Sequence, residues 1–402
     1  MPHHNSVFHA MLKHLPWDEL DAAVVRHDAA GCARGFSFKS QVVALVYAQV
    51  SGADSLRHVV DGLRSHADRL PHLGAVPCAR STLADANRDR PAEVFSDLLG
   101  AMIKRLHRGL RRRLDGLTHL IDSTSLMLNA RSANWAHVSA HACGAKLHVV
   151  YDPDADCPVY TAVTPARVPD ITAAHAMPVT KGATYVFDLG YYDYAWWAKL
   201  DAAGCRIVTR LKANTPLRVT EARPVPSRVP GHGPGHGPGN APSGPILSDR
   251  IGQLPTRKGK GQPNPMTKPV REVRVRIDTG PVLRILTNDL DAPAQEIADL
   301  YKRCWAVELF FRWVKQTLQI TRFLGTTENA VRIQIACALI AFLLLCLAQA
   351  TLAAITSPLA FARLVRDNLM HRRDLADLSK PPPRTTQART AHEAGQGVLI
   401  GI

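Results

Sequence analysis

Apolar residues recur at helical spacing through the first hundred residues. Segments 38–50 and 54–63 carry them three and four positions apart, with a polar break between the two segments. A third segment, STLADANRDR at 81–90, opens on Ser-Thr, which favours a helix start. The pattern predicts a helical N-terminal domain over residues 1–115.

From residue 117 onward the apolar pattern takes the form typical of β-strands. Five runs are predicted as strands, with a short helix after the third and another after the fourth. The strands are 117–123, 146–151, 159–163, 184–189 and 205–211, and the helices are 171–177 and 194–203. Three strands followed by alternating helix and strand predict an α/β fold, in which helices flank a mixed sheet over residues 116–212.

Residues 213–290 interrupt this order. The stretch PSRVPGHGPGHGPGNAPSGP is too rich in Gly and Pro for a regular element, and it predicts a flexible loop. Two alternating segments, 271–277 and 282–286, follow the loop and predict a β-hairpin. The region is therefore expected to be a β-rich insertion into the fold.

The remaining chain, 291–378, is predicted to form a long helix from about 293 to 320 and an apolar helix from about 331 to 355. The apolar helix contains 14 consecutive uncharged residues, IACALIAFLLLCLA, whereas a membrane span needs roughly 20 apolar residues. We expect a buried core helix, with a membrane helix as the alternative. The tail, 379–402, is predicted to be disordered.

The chain is strongly basic. Lys and Arg number 49 against 34 Asp and Glu, which gives a formal net charge of +15. This charge favours a polyanionic partner, either nucleic acid or an anionic membrane surface. An apolar fraction of 46% with 21% charged residues excludes a disordered chain. The block KRLHRGLRRRL at 104–114 is either a solvated helix face or a phosphate-contacting surface.

The cysteines and the N-terminus indicate a cellular compartment. Eight cysteines are scattered without any C-x-x-C spacing, which predicts free thiols in a reducing compartment and disfavours a zinc finger. The first residues lack the apolar core of a secretion signal. We expect a cytoplasmic protein.

Three acidic residues stand in apolar surroundings. Asp122 lies in the first predicted strand, Asp188 at the end of the fourth, and Glu308 within WAVELFFRW of the long helix. A carboxylate on an apolar element is costly unless it is paired or bound to a cation. Three carboxylates arriving from separate elements could hold two divalent ions, Mg²⁺ or Mn²⁺. Taken singly, each acid could instead be a helix cap or a salt-bridged strand end.

The helix that carries Glu308 adds to this hypothesis. Tyr301 precedes Glu308 by seven residues and Lys315 follows it by seven, which is close to two turns in each direction. All three are therefore expected on one helix face, where they could contact phosphates beside a metal. The alternative is an amphipathic helix with ordinary surface charges.

Three segments of the chain are similar to DDE transposases of bacterial insertion sequences, specifically the IS-four group. They are LIDSTSL (120–126), YVFDLGYYDY (185–194) and LYKRCWAVELFFRWVKQTLQI (300–320), and the likeness extends over roughly residues 5 to 370. The family's third motif is Tyr, two residues, Arg, three residues, Glu, six residues and Lys. The chain departs from it at one position, where Cys304 replaces the Arg and Arg303 stands one residue early.

The resemblance implies an RNase H-like catalytic core with Asp122, Asp188 and Glu308 as catalytic residues and ligands of two Mg²⁺ or Mn²⁺ ions. It also implies that Tyr301, Lys315 and the displaced Arg303 contact phosphates. The N-terminal helical domain of the family helps to bind element ends. The corresponding cations here are Arg80, Arg88, Lys104, Arg111 and Arg112.

The resemblance further implies the reaction and the partners. The protein would bind terminal inverted repeats in double-stranded DNA, cut there and join the freed 3′-hydroxyl to target DNA, as a homodimer on paired ends and without a membrane. Cys304 motivates an alternative, a DNA-binding protein of the same ancestry with impaired catalysis. A membrane-associated basic protein is a third hypothesis, which leaves the three acids unexplained.

Overall fold

The structure is a computed structural model that describes most of the chain. The described residues are 5–33, 35–110, 116–139, 142–225, 246–258, 262–276, 282–317, 322–352 and 357–378. The predicted Gly/Pro loop at 226–245, the predicted disordered tail at 379–402, and the predicted phosphate contacts Arg111 and Arg112 all lie outside them.

Helices make up the N-terminal part, three more lie among the strands in the middle of the described chain, and the last four follow the sheet. Their bounds are α1 Val7–Leu12, α2 Trp17–Arg26, α3 Phe38–Ser51, α4 Leu56–Arg64, α5 Arg80–Asp89, α6 Ala92–Leu110, α7 Ala133–Ala136, α8 Asp170–Ala176, α9 Tyr194–Ala202, α10 Ala294–Lys302, α11 Trp305–Thr317, α12 Glu328–Ala350 and α13 Pro358–Asn368. The break predicted between α3 and α4 has a local cause, since Gly52 ends α3 in the left-handed conformation and Ser55 caps α4.

The strands of the described residues form one large mixed sheet and a short separate ribbon. Their bounds are β1 Thr118–Leu128, β2 His137–Ser139, β3 Ala142–Asp152, β4 Cys157–Pro165, β5 Thr184–Phe187, β6 Arg206–Arg210, β7 Arg218–Arg223, β8 Ile246–Gln253, β9 Arg257–Lys258, β10 Gln262–Pro263, β11 Val270–Val275 and β12 Leu283–Thr287. The sheet order is β2-β3-β1-β5-β6-β12-β11-β8-β7, with β4 paired to β3, while β9 and β10 form the ribbon.

The central strands confirm the predicted RNase H-like mixed sheet. Strands β1, β3 and β4 are antiparallel neighbours, β5 runs parallel to β1, and β6 runs parallel to β5. The predicted hairpin is also present as β11 and β12. It does more than close the insertion, because β12 pairs with β6 and extends the main sheet towards β8 and β7. The sequence did not predict this extension.

Helices cover both faces of the sheet. One core packs α12, the N-terminal helices and α11 against the face that carries Leu120, Val186 and Val208. The other core packs α9, with Trp196 and Trp197, against the opposite face. Because side chains alternate along a strand, the first face is also the one that receives Asp122 and Asp188.

The apolar helix α12 lies in the first core, as expected. Its residues from Val331 to Leu345 are buried almost without exception, between α3, α6 and α11. By length and composition alone α12 could also cross a membrane, but 83% of its most apolar stretch is buried inside the fold. The packing of α12 therefore accounts for its composition.

The prediction of one long helix from 293 to 320 was wrong. The chain turns at Arg303 and Cys304, where the amide of Cys304 donates to Tyr301 and that of Ala306 to Arg303, each three residues back. Helices α10 and α11 are therefore separate. The reason is tertiary, since Arg303 pairs with Asp154 while Cys304 packs beside the acidic residues described below. Residues 318–320 lie outside the described chain.

Candidate active site

Strand pairing places two of the predicted acids side by side. The parallel ladder between β1 and β5 ends with Ile121 opposite Phe187, and the next residue on each strand is an aspartate. Neighbouring strands are about 4.8 Å apart, so Asp122 and Asp188 meet at one edge of the sheet. The Asp188 carboxylate also accepts a hydrogen bond from the Gly190 amide at 2.8 Å, which fixes the turn that follows.

Glu308 reaches the same place from α11. Burial raises the pKa of Asp122 to about 7, with a further contribution from the charges of Asp188, Glu308 and Asp170 included in that value and a hydrogen bond from the Ser123 amide acting against the rise. The structure thus brings the three predicted acids within electrostatic range of one another. Glu308 and Asp188 are exposed, while Asp122 is half-buried.

Asp170 is a fourth carboxylate that sequence reasoning missed. It begins α8, and its Oδ2 lies 3.2 Å from the point where a Cβ on Gly190 would sit, while Asp188 Oδ1 lies 3.0 Å from it. Gly190 therefore allows the two carboxylates to approach. Lys146 Nζ lies 3.0 Å from Asp170, and Ser123 Oγ donates to it at 2.7 Å. Asp170 was missed because an Asp at the start of a predicted helix indicates only a helix cap.

The donor set fits hard divalent cations, which prefer carboxylate oxygens. A bound cation would offset both the burial and the neighbouring negative charges that raise the pKa of Asp122. Within the described ranges, no group of three or more His, Cys, Asp or Glu side chains has the arrangement of a metal site. The carboxylates are therefore near one another, and cation binding would require them to move closer together.

Cys304 lies among these acids at the turn between α10 and α11. Burial raises the pKa of its thiol, and the charges of Asp122, Asp188 and Glu308 add to the effect. The thiol is consequently neutral at physiological pH and brings no positive charge to the site. Arg303, the adjacent cation, points to Asp154, and the side chains of this pair are 35% and 32% exposed.

Tyr301 lies in the last turn of α10, close to Asp188. Burial raises the pKa of its hydroxyl, and nearby Cys304 and Asp188 add to the rise, whereas Arg210 lowers it by its charge and a side-chain hydrogen bond. Arg210 ends β6, next to β5, and sequence reasoning missed it although a cation at a strand end is a visible signal. Lys315 lies two turns beyond Glu308 on α11, and burial lowers the pKa of its ammonium group.

Tyr191 is a further residue that sequence reasoning missed. Its side chain is 1% exposed, and its hydroxyl lies beside Ser123. Burial raises the pKa of this hydroxyl, and the charges of Asp122, Asp170 and Asp188 contribute. The hydroxyl therefore lies at the carboxylates as a neutral hydrogen-bond donor.

Three of the predicted N-terminal cations, Arg80, Arg88 and Lys104, lie on α5 and α6. Arg80 and Lys104 are exposed on α5 and α6. Arg88 is also exposed, but Asp89 at 2.7 Å and Asp85 at 3.0 Å offset much of its charge.

Comparisons with known proteins identify relatives over the same region. A family model described as "Transposase DDE domain" matches residues 115–344, and one described as a domain of unknown function matches residues 3–76. "Putative transposase y4zB" of Sinorhizobium fredii is 39% identical over 302 residues, which are 75% of this chain and 80% of that protein. "Probable transposase for insertion sequence element IS5377" of Geobacillus stearothermophilus is 30% identical over 72% of each chain.

One solved structure resembles the chain weakly. The piggyBac transposase synaptic complex with hairpin DNA aligns with 98% of this chain and 84% of its own, at 10% identity and a TM-score of 0.39. A TM-score this low does not establish a shared fold. The carboxylates Asp122, Asp188 and Glu308 all fall inside the matched range 115–344.

Proposed function

The chain belongs to the family of DDE transposases, and on that premise we propose that it binds the terminal inverted repeats of its insertion sequence, cleaves phosphodiester bonds there and joins 3′-hydroxyl ends to target DNA. As a family member it is a metal-dependent enzyme that cuts and joins DNA. The specific steps, the repeats and the membership of the IS-four group are the proposal.

The parallel pairing of β1 and β5 is the observation that carries the proposal, because it puts Asp122 and Asp188 at one sheet edge within range of Glu308. These three residues would hold two divalent ions, Mg²⁺ or Mn²⁺. Bound there, such ions supply Lewis-acid stabilisation of the attacking and leaving oxygens of an in-line displacement.

The protein's own side chains would position the DNA. Tyr301, held by Arg210 beside Asp188, would donate a hydrogen bond to a phosphate oxygen, and Lys315 would contact a phosphate further along α11. Arg303 would contact phosphate after releasing Asp154. Asp170 pairs with Lys146 and would keep Ser123 and the turn at Gly190 in place.

The wider partners follow from the positive charge and the family. The exposed cations Arg80, Arg88 and Lys104, with Arg111 and Arg112, would contact the DNA of the element ends. We propose a homodimer on paired ends, in the cytoplasm at the nucleoid and without a membrane. Burial of most of the apolar stretch of α12 supports the last point.

Plasmid cleavage tests the proposal. A plasmid that carries the inverted repeats flanking the gene, incubated with purified full chain and Mg²⁺, should be nicked or joined at those repeats. Asp122→Asn should reduce the rate more than about 100-fold, because even outer-shell partners of metal ligands cost 10–100-fold. Asp21→Asn, which changes an exposed acid on α2, is the control and should retain the rate. Cleavage that survives Asp122→Asn would refute the catalytic assignment.

A second candidate function rests on Cys304. A neutral thiol among the carboxylates, at the position where the family has Arg, cannot clamp a phosphate. The protein would then bind the repeats without cutting them. Cys304→Arg should switch cleavage on in such a protein, whereas a wild-type chain that already cuts would exclude this candidate.

A further inference from the structure

A shielded ion pair lies behind the carboxylate edge of the sheet. Lys146 Nζ lies 3.0 Å from Asp170 Oδ1, and it also donates to the carbonyl oxygen of Val168 at 3.1 Å. The side chains of Lys146 and Asp170 are 18% and 23% exposed, so water screens their charges less than those of a surface pair. Lys146 therefore fixes the start of α8 at two points, a carboxylate and a carbonyl.

The strand register places Lys146 on the face of the sheet opposite to Asp122. Lys146 and His148 are two residues apart on β3, so their side chains share a face. His148 pairs with Ser123 of β1, and paired residues of antiparallel strands share a face as well. Asp122, the neighbour of Ser123, points the other way. Lys146 therefore acts on Asp122 through other residues.

Ser123 links the two faces. Its hydroxyl donates to Asp170 Oδ1 and its amide donates to Asp122 Oδ1, both at 2.7 Å. Asp170 Oδ1 thus accepts hydrogen bonds from Ser123 and from Lys146. Hydrogen bonds to ionised groups are stronger than those between neutral groups. The contacts form a continuous path from Lys146 through Asp170 and Ser123, and this path orients the carboxylate of Asp122.

Asp170 is also close to the second aspartate of the site. Asp170 Oδ2 and Asp188 Oδ1 lie 3.2 Å and 3.0 Å from the point where a Cβ on Gly190 would sit. The charge of Asp170 also contributes to the raised pKa of Asp122. Without compensation, Asp170 would add a fourth negative charge beside the three predicted cation ligands and repel them. The arrangement therefore calls for a positive charge at Asp170.

Two basic side chains approach Asp170 in the described part of the chain. His148 Nδ1 lies 3.8 Å from Asp170 Oδ1, but burial lowers the pKa of His148, so its imidazole is neutral at physiological pH. The other ring nitrogen of His148, Nε2, lies 2.8 Å from Thr164 Oγ1. Of the two side chains, Lys146 is thus the one that supplies a positive charge.

We propose that Lys146 is a positioning residue of the active site, which anchors Asp170 and offsets its charge, so that Asp170 can orient Asp122 through Ser123 without adding negative charge to the cation site. The inference rests on the proposed function, because it gives these residues a task in cation-dependent cleavage. Lys146 acts through Asp170 and is not itself a catalytic residue.

Two measurements on Lys146→Met test this role. One is the affinity for Mn²⁺, obtained from the electron paramagnetic resonance of free Mn²⁺ with the full chain and inverted-repeat DNA. The other is the rate of cleavage at saturating Mn²⁺. The substitution leaves the charge of Asp170 uncompensated, so the affinity for Mn²⁺ should rise about fourfold. The rate should fall about 10–100-fold, as is usual when an outer-shell partner of a metal ligand is lost. General loosening of the site would lower both quantities.

Neutralising Asp170 should remove the effect of Lys146. Lys146→Met/Asp170→Asn has the same net charge as the wild type, so its affinity for Mn²⁺ should return to about the wild-type value. Its rate should equal that of Asp170→Asn alone, because Lys146 acts through Asp170. Lys146→Arg, which keeps the charge, should restore most of the rate. Lys199→Met is the matched control, since it removes an exposed cation of α9 that donates to the carbonyl of His175, and it should change neither quantity.

The outcomes separate this inference from the proposed function. A Lys146→Met variant that cuts at the wild-type rate, or that loses Mn²⁺ affinity together with rate, would overturn the positioning role. If Lys146→Met does not fold, the double variant decides, and a rate below that of Asp170→Asn would overturn the role. A wild type that binds Mn²⁺ but cuts no repeat would refute the proposed function, and the change in Mn²⁺ affinity would still decide whether Lys146 offsets Asp170.

Discussion

The half-buried carboxylate of Asp122 and the buried carboxylate of Glu272 have opposite surroundings. Burial and, to a smaller extent, the neighbouring carboxylates together raise the pKa of Asp122 to about 7. Burial also acts to raise the pKa of Glu272, but hydrogen bonds and charges from Arg284, Arg250 and Arg274 outweigh it and leave the pKa lowered. Burial alone therefore does not decide the charge of an acid. The first cluster, around Asp122, carries an excess of negative charge and suits a cation, whereas the second, around Glu272, is a carboxylate already neutralised by three guanidinium groups.

Removing the charge of Glu272 should give the largest change in stability. Glu272→Gln leaves three guanidinium groups around a neutral amide, so we expect a loss of about 3 kcal/mol in the free energy of unfolding, at the low end of the range for broken buried ion pairs because two arginines are partly exposed. Urea unfolding monitored by circular dichroism measures it. Glu221→Gln, which breaks the half-exposed pair with Arg223, should cost less than about 1 kcal/mol. Equal costs for both variants would remove the contrast between buried and exposed acids.

Removing the charge of Asp122 should change the free energy of unfolding in the opposite direction and stabilise the metal-free protein. Its pKa is raised above the value of 3.8 in the unfolded chain, so the folded state binds the proton more tightly. The stability of the metal-free protein should therefore fall as pH rises from about 4 to 7 and then level off. The full shift corresponds to at most about 4 kcal/mol, and partial solvent exposure reduces it.

Metal-free Asp122→Asn should accordingly be more stable than the wild type at pH 8, by about 2 kcal/mol, and closer to it at pH 5. Urea unfolding at the two pH values measures the difference, with Asp21→Asn as the control. Added Mg²⁺ should stabilise the wild type at pH 8 and narrow the gap. A variant less stable than the wild type at pH 8 without metal would contradict the account of repelling carboxylates.

The smallest effect is expected at Asp154, outside both clusters. Its pair with Arg303 is about one-third exposed on each side, so Asp154→Asn should change the free energy of unfolding by less than about 1 kcal/mol. The substitution also frees Arg303 beside the carboxylate site and adds positive charge, so DNA binding at low salt should strengthen slightly. Weaker binding would show that Asp154 holds Arg303 in a productive position.

Local patterns in the sequence predicted the central strands and the hairpin, because the alternation of apolar and polar residues that marks a strand lies within the strand itself. They also singled out Asp122 and Asp188 as candidate site residues, because an acidic residue within an apolar run can be recognised from the neighbouring residues alone. The turn at Cys304 could not be predicted, because no Gly or Pro marks it and helical spacing continues on both sides. Asp170 and Glu272 were missed for a related reason. Their partners come from other elements, so only the folded sheet brings them together.

The central claim is that Asp122, Asp188 and Glu308 together hold divalent cations. Crystals of the full chain with inverted-repeat DNA, soaked in Mn²⁺ and measured for anomalous scattering, test it most directly. The account predicts two anomalous peaks bounded by these three carboxylates in the wild type and their loss in Asp122→Asn. Peaks elsewhere, or none beside these carboxylates while DNA is bound, would contradict it.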